Sequence, residues 1–293
     1  MTPNQISKIK YQNDKSKCKI IGAVVLLVSA GCAVQMQKPI RVCEGKETAA
    51  EALSVLEGNS ENVVPLRANG KCLAKFSTDG KPHKENFPVK LWFAPPCYLR
   101  FQGDVAFNPR GIELGSNDSE FWLSMKPKEI SNSYFWGKWD NAAGLVELKI
   151  SPKVLLEALG IVSVGEQGDW SLSNENGFDI LTKRDEQAVI IKKVHIYNCY
   201  YRVKKIEYFD KTGRVIVIIE LDKYRGIYEN VFVPGVIKVI SREKDDTENS
   251  FRITLDSIKF MSRQPEGLFD RGQPIGFKHI YEIIDGKMVE QVH

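Results

Sequence analysis

The chain has 293 residues, of which 43% are hydrophobic and 27% charged, and its formal net charge is +4. This composition excludes a mostly disordered chain, a collagen-like repeat and a polytopic membrane protein. The charge is confined to one segment: residues 1–31 contain five lysines and one aspartate, whereas the rest of the chain has 36 basic and 36 acidic residues. A nucleic-acid partner is therefore not expected.

The first predicted element is a secretory signal peptide over residues 1–31. An apolar run from Ile20 to Val28 follows the basic start and ends in small residues. This run is shorter than the roughly 20 residues that a membrane-spanning helix needs. We therefore expect the segment to be removed after export.

The end of this segment is more specific than a general cleavage site. It resembles the lipobox of bacterial lipoproteins over the residues Val28-Ser29-Ala30-Gly31-Cys32. The resemblance implies cleavage before Cys32 and acylation of that cysteine, for example with palmitate, which anchors the protein in a membrane. Because Ala33 follows Cys32, it also implies the outer membrane of the cell envelope, with the domain facing the periplasm. The alternative is an ordinary signal peptide that ends at a chance cysteine.

The exported part of the chain keeps four cysteines: Cys43, Cys72, Cys97 and Cys199. Export permits disulfide bonds, and four cysteines allow three pairings, all of which stay open beside buried free thiols. No two have CxxC spacing, so we expect neither a metal site nor a cofactor.

The folded domain is predicted over residues 46–262, after a lipidated tether over 32–45. Thr48-Ala49-Ala50-Glu51 is a capping-box pattern that begins a helix ending near Gly58. From residue 63 the hydrophobic period changes to two, which is typical of strands. Turns are predicted at 79–80, 108–111 and 116–118.

Large apolar residues alternate with polar ones along several of these strands, so we expect one apolar face. Its residues are predicted to line a hydrophobic ligand cavity: Leu91, Phe93, Leu99, Phe101, Phe121, Leu123, Met125, Val215, Val217, Ile219 and Leu221.

A second helix is predicted over 151–159, beginning at Ser151-Pro152 and ending at Gly160. Strands follow it, with a hairpin turn over 210–213 and a polar loop over 242–250. Residues 263–293 form a C-terminal extension with one strand near 277–284. About ten strands in consecutive hairpins and two helices favour a mainly β (α+β) fold, with one strongly curved antiparallel sheet and the helices as a lid.

This order of elements resembles the outer-membrane lipoprotein carrier and acceptor superfamily (LolA/LolB-like) over about residues 46–262. The resemblance rests on the helix order and on the segments Arg67-Ala68-Asn69-Gly70-Lys71, Leu91-Trp92-Phe93-Ala94-Pro95-Pro96 and Phe121-Trp122-Leu123. It implies an incomplete β-barrel whose helical lid covers a cavity for the acyl chains of lipoproteins. A lipid-anchored member would be closer to the acceptor than to the soluble carrier.

Two functions follow as expectations. The first is a lipid-anchored periplasmic protein that binds acyl chains or another hydrophobic ligand, with a role in lipoprotein localisation. The alternative is a structural outer-membrane lipoprotein that presents the aromatic segment over residues 134–139 to another envelope protein. No enzyme is expected, since His83, His195, His279 and His293 have no acid or nucleophile at a recognised spacing.

Overall fold

The computed structural model describes residues 43–78, 80–105, 108–127, 131–141, 152–160, 169–243 and 247–291. Residues 41–293 form one compact unit. The predicted signal peptide, Cys32 and most of the tether lie outside the described residues.

The described residues contain two α-helices and seventeen strands, more than the ten or so expected. The helices are α1 (Ala49–Glu61) and α2 (Pro152–Ala158). The first strands are β1 (Leu66–Thr78), β2 (Lys81–Ala94), β3 (Tyr98–Val105), β4 (Asn108–Ser116), β5 (Glu120–Met125) and β6 (Ser133–Lys138). After α2 come β7 (Asp169–Glu175), β8 (Phe178–Arg184), β9 (Ile190–Tyr197), β10 (Arg202–Phe209) and β11 (Val215–Asp222). The last are β12 (Arg225–Tyr228), β13 (Val231–Val233), β14 (Val236–Arg242), β15 (Glu248–Phe260), β16 (His279–Ile284) and β17 (Lys287–Glu290).

Fifteen strands form one curved sheet in the order β17-β16-β6-β5-β4-β3-β2-β1-β15-β14-β11-β10-β9-β8-β7. The sheet is open, because β17 and β7 lie at its two edges, so the expected mainly β, incompletely closed fold is confirmed. Two details of the expectation are wrong. The pairing of β16 with β6 is parallel, and β12 and β13 form a separate two-stranded sheet.

Several predicted boundaries also differ. The stretch over residues 108–111, expected to be a turn, begins β4, because Asn108 pairs with Val105 across a register shift in β3. Helix α1 begins after its Thr48 cap, as predicted, but continues past Gly58 to Glu61. Its C-terminal groups are bound by Asn62, whose side-chain amide donates to the Gly58 carbonyl at 2.7 Å.

The C-terminal extension packs across the outer face of β3–β6. Arg100 donates to the Leu268 carbonyl at 2.7 Å, and Tyr134 donates to the Gly272 carbonyl at 2.9 Å. Arg271 pairs with Glu120 at 2.8 Å and lies over the Trp136 ring. The extension then adds β16 beside β6. Side chains of the extension thus cover Tyr134 and Trp136, which the sequence analysis did not assign to a strand or to the core.

Cys43 and Cys199 form a disulfide, which selects one of the pairings that the sequence left open. Cys72 and Cys97 are free thiols. Burial raises the pKa of the Cys72 thiol to about 12, so it stays protonated at neutral pH. The disulfide fastens the first described residue to the turn between β9 and β10.

Candidate functional site

The inner face of the sheet brings together the apolar residues predicted from the sequence. Alternation along each strand directs these side chains to one side, and register aligns them across strands: Leu91 lies opposite Phe101, and Ile219 opposite Val239. One core cluster contains Leu91, Phe93, Leu99, Phe101, Phe121, Leu123, Val217, Ile219 and Leu221, with Met125 packed against it. Val215 is only half-buried, since a register shift beside Phe209 disturbs the alternation there.

Helix α2 covers the middle of this face and contacts β4 and β11. Pro152 occupies the first helical position, where its missing N–H costs nothing. Gly160, with φ of +106°, lies just after the helix end, where glycine tolerates a positive φ better than other residues. All residues of α2 except Lys153 are buried, and Leu155 and Ala158 are almost fully so. One short helix therefore contacts strands from both halves of the sheet.

A buried polar cluster lies where α2 meets β9 and β10. The Glu157 carboxylate pairs with Lys192 Nζ at 2.9 Å, and the two side chains are only 1% and 7% exposed. The Tyr208 hydroxyl also donates to Glu157, and Lys192 Nζ lies 5.4 Å from the centre of the Tyr208 ring. This cluster joins α2 to the sheet by direct charge pairing in an otherwise apolar face.

Sequence reasoning missed this cluster, although a signal was present. Lys192 has the same parity as Val194 and Ile196, both fully buried, so it belongs to the inward side of β9. Glu157 lies among the apolar residues of α2. A charge at an inward position on each of two elements is the pattern that would have indicated a buried pair.

A depression of about 220 Å³ lies at one end of the inner face, between α1, the end of α2 and the β12–β13 hairpin. Arg202 stands at its rim, and its guanidinium carbon is 3.6 Å from the centre of the Phe232 ring. Tyr224 donates to the Val203 carbonyl at 2.5 Å, and burial raises the pKa of its hydroxyl. The lining residues include Leu56, Val63, Glu157, Tyr201, Leu221 and Val231. The depression therefore combines apolar walls with an aromatic and cationic rim.

The candidate catalytic groups are not brought together. His195 lies on the outer face, 2.7 Å from Glu207, and its pKa is lowered because burial outweighs the pairing with that carboxylate. His83 stacks on Phe76, and His279 pairs with Glu290. Within the described ranges no group of three His, Cys, Asp or Glu side chains has a metal-binding arrangement. His293 lies outside the described residues.

The aromatic residues of the segment over 134–139 divide between two clusters. Tyr134 and Trp136 pack with Trp122 beneath the extension, whereas Phe135 and Trp139 pack against the main core. Trp122 is 1% exposed. Tyr134 of this segment is 3% exposed, so its ring is part of the fold and is not a free platform.

Among the helices of the described part of the chain, none has the length and apolarity to span a membrane. No protein-family model and no curated protein sequence matches the chain.

Solved structures do resemble it. A domain described as an outer membrane lipoprotein-sorting protein, from Vibrio parahaemolyticus, superposes with a TM-score of 0.51 at 11% identity, over 75% of this chain and 95% of that one. A DUF1329 family protein from Desulfovibrio piger superposes with a TM-score of 0.51 at 12% identity, over 76% and 97% of the two chains. The chain therefore shares the fold of these two structures, one of which is described as a lipoprotein-sorting domain.

Proposed function

We propose that the protein binds lipids or lipoproteins in the bacterial cell envelope and holds acyl chains against the inner face of the sheet. The observation that carries the proposal is the continuous apolar inner face, which is covered at its middle by the seven-residue helix α2. Each buried CH₂ of an acyl chain contributes about 0.8 kcal/mol of binding free energy. Burial against this face is therefore enough to bind an acyl chain, and no catalytic group is needed. The fold shared with a lipoprotein-sorting domain supports the same function.

Binding requires space between the two halves of the sheet, and α2 occupies it. An acyl chain would therefore take the place of α2 side chains such as Leu155, and the Glu157–Lys192 pair would open. The depression beside Glu157 gives a ligand access to this point from outside. Because α2 has only seven residues, we expect its displacement to cost less than opening the sheet itself.

We expect a fluorescent fatty acid to bind the protein spanning residues 33–293 saturably. Leu91→Glu or Val217→Glu, which place a carboxylate on the inner face, should weaken binding at least about tenfold, because an unpaired charge among apolar groups is costly to bury. Phe260→Glu is the matched control, since Phe260 is 44% exposed. Fluorescence titration measures affinity, and circular dichroism confirms that each variant is folded.

A photoreactive fatty acid tests the same site in the unmodified protein. Cross-links are expected on β2, β3, β5 and β11, and should be competed by excess unlabelled fatty acid. Cross-links confined to the outer face or to the C-terminal extension would contradict the proposal, whatever the variants show.

The proposed anchor is acylated Cys32, which holds the protein at the outer membrane. Cells fed radiolabelled palmitate should incorporate it into the protein, and Cys32→Ser should abolish both the label and recovery in a membrane fraction washed with high salt. Cys18→Ser is the matched control, because Cys18 belongs to the segment removed by cleavage. Label retained in Cys32→Ser would refute the anchor without touching the binding proposal.

The alternative, a structural lipoprotein presenting residues 134–139 to a partner, has less support. Tyr134 is 3% exposed and Trp136 lies under Arg271. A partner would have to displace the C-terminal extension to reach them.

A further inference from the structure

The outer face of the sheet has three regions that differ in charge. The C-terminal extension covers the outer face of β3–β6. On β9, β10, β11 and β14 the charges pair with one another, as in Lys238–Glu220 and Lys205–Glu207, both at 3.0 Å. Between these regions lie β15, β1 and β2. The extension packs against Trp92 near the end of β2, whereas the outward lysines and arginines of these strands are exposed.

This middle region, which we call the central outer face, consists of seven exposed basic side chains. They are Arg67, Lys71 and Lys75 on β1, Lys84 and Lys90 on β2, and Arg252 and Lys259 on β15. The register places them on the same side: Arg67 lies opposite Lys259, and Lys75 opposite Lys84. Neighbouring strands are about 4.8 Å apart, so these charges are close to one another.

No ion pair joins any of the seven to another residue in the described ranges. The three strands contain only three acidic residues, Glu85, Glu248 and Asp256. Glu248 lies 3.8 Å from Arg242 on β14, and Glu85 is on the inner side of β2. The exported part of the chain is neutral in total, so the positive charge here is a local concentration.

The central outer face is also concave. Two adjoining depressions, of about 370 and 580 Å³, share Asn69 and Lys90. The first is lined by Arg67, Trp92, Ser257 and Lys259, and the second extends to Gln102, Asp104 and Arg110. Gly70 forms part of the floor, where a Cβ would collide with the Thr254 carbonyl. Cationic and amide donors, with the single carboxylate of Asp104, thus surround a shallow trough.

We infer that the central outer face binds the phosphate groups of anionic lipids at a membrane surface. Unpaired lysines and arginines beside amide donors suit phosphate oxygens. Strands of thirteen and fourteen residues present these groups over an extended surface, as a bilayer requires. The ten residues from 33 to 42 reach at most about 35 Å, which keeps the domain close to its membrane. That tether depends on the proposed acylation of Cys32, whereas the charge and shape of the surface do not.

The test is sedimentation of the protein spanning residues 33–293 with vesicles of phosphatidylcholine containing 40% phosphatidylglycerol, compared with pure phosphatidylcholine. Each lysine or arginine near an anionic surface strengthens binding about fivefold. The triple variant Arg67→Gln/Lys90→Gln/Lys259→Gln is therefore expected to bind about 100-fold more weakly. Binding of the unmodified protein should fall as sodium chloride is raised.

The matched control is Lys211→Gln/Lys278→Gln/Lys287→Gln, which removes the same charge from exposed positions elsewhere. It should lose less than about fivefold, and an equal loss in both variants would overturn the inference. Inorganic phosphate at constant ionic strength should leave vesicle binding unchanged. If phosphate abolishes vesicle binding, the site binds free phosphate and the inference is overturned. Binding to polyglutamate but not to vesicles would assign it to an acidic protein.

This experiment separates the outer face from the inner one. The triple variant should keep its affinity for the fluorescent fatty acid, and Leu91→Glu should keep its affinity for anionic vesicles. Loss of vesicle binding in Leu91→Glu that matches its loss of fatty-acid binding would place both activities on the inner face and overturn a separate lipid-binding surface.

Discussion

Breaking the Glu157–Lys192 pair from one side is expected to lower the free energy of unfolding by about 3–5 kcal/mol. Glu157→Gln leaves the ammonium of Lys192 buried without a countercharge, and Lys192→Met leaves the carboxylate in the same position. Both side chains are at least nine-tenths buried, so solvent cannot compensate for the lost partner. Denaturant unfolding of each variant, compared with the unmodified protein, measures the loss.

Removing the whole cluster should cost much less than removing one member. In Glu157→Leu/Lys192→Met/Tyr208→Phe all three members of the cluster are removed together, and apolar side chains of similar volume replace them. We therefore expect this triple variant to regain most of the stability lost by either single variant. If it is as unstable as Lys192→Met, the loss comes from packing and not from an unpaired charge.

Glu220 and Lys238 provide the matched control. They form a pair of the same residue types at 3.0 Å, but they are 48% and 33% exposed. Glu220→Gln should change stability by less than about 1 kcal/mol. Equal effects of Glu157→Gln and Glu220→Gln would contradict the burial on which the role of α2 depends.

The same cluster links stability to ligand binding. If acyl chains displace α2, the ion pair is made only in the unliganded state, and weakening it lowers the cost of opening. Glu157→Leu/Lys192→Met/Tyr208→Phe should then bind the fluorescent fatty acid at least as tightly as the unmodified protein does. Tighter binding together with near-normal stability would identify the cluster as the contact that holds α2 in place.

The parts of the fold that were predictable are those in which side chains alternate locally. Val217, Ile219 and Leu221 define β11 by their spacing alone, and Asp210 to Gly213 form the predicted turn before it. Strand β6 was harder to predict, because both of its faces are aromatic: the extension covers Tyr134 on one side while Phe135 faces the core. When both faces of a strand are buried, apolar residues no longer alternate with polar ones, and the two-residue period cannot be recognised.

The parts that were not predictable depend on contacts distant in sequence. Nothing near residue 279 indicates that β16 pairs in parallel with a strand almost 150 residues earlier, since parallel partners lack a connecting turn. The central outer face was missed for a related reason. Arg67, Lys90 and Lys259 are single charges on three strands, and only the register makes them neighbours.

Loss of the Cys43–Cys199 disulfide is the second large effect expected. The two cysteines are 156 residues apart, so the bond closes a loop through most of the domain. In the chain-entropy model a loop of this length stabilises the fold by about 5 kcal/mol, and removal of native disulfides typically costs about 2–5 kcal/mol. Cys43→Ser/Cys199→Ser should therefore unfold at a clearly lower denaturant concentration than the unmodified protein.

Reductant provides the internal control. Dithiothreitol should lower the unfolding midpoint of the unmodified protein and leave that of Cys43→Ser/Cys199→Ser unchanged. Under denaturing, non-reducing conditions the protein spanning residues 33–293 should show two reactive thiols, from Cys72 and Cys97. Four thiols, or a midpoint indifferent to reductant, would contradict the bond.

The disulfide also determines where the tether enters the domain. Beside it, the Lys46 N–H donates to Asp179 at 2.9 Å, and the Asn198 side chain donates to the Cys43 carbonyl at 3.3 Å. Asp179 is fully buried and also receives the Tyr201 hydroxyl, which holds the residues before α1 against β8. In Cys43→Ser/Cys199→Ser these hydrogen bonds remain, so hydrogen exchange should increase mainly before Lys46. Faster exchange throughout α1 would show instead that the disulfide, and not Asp179, positions the helix.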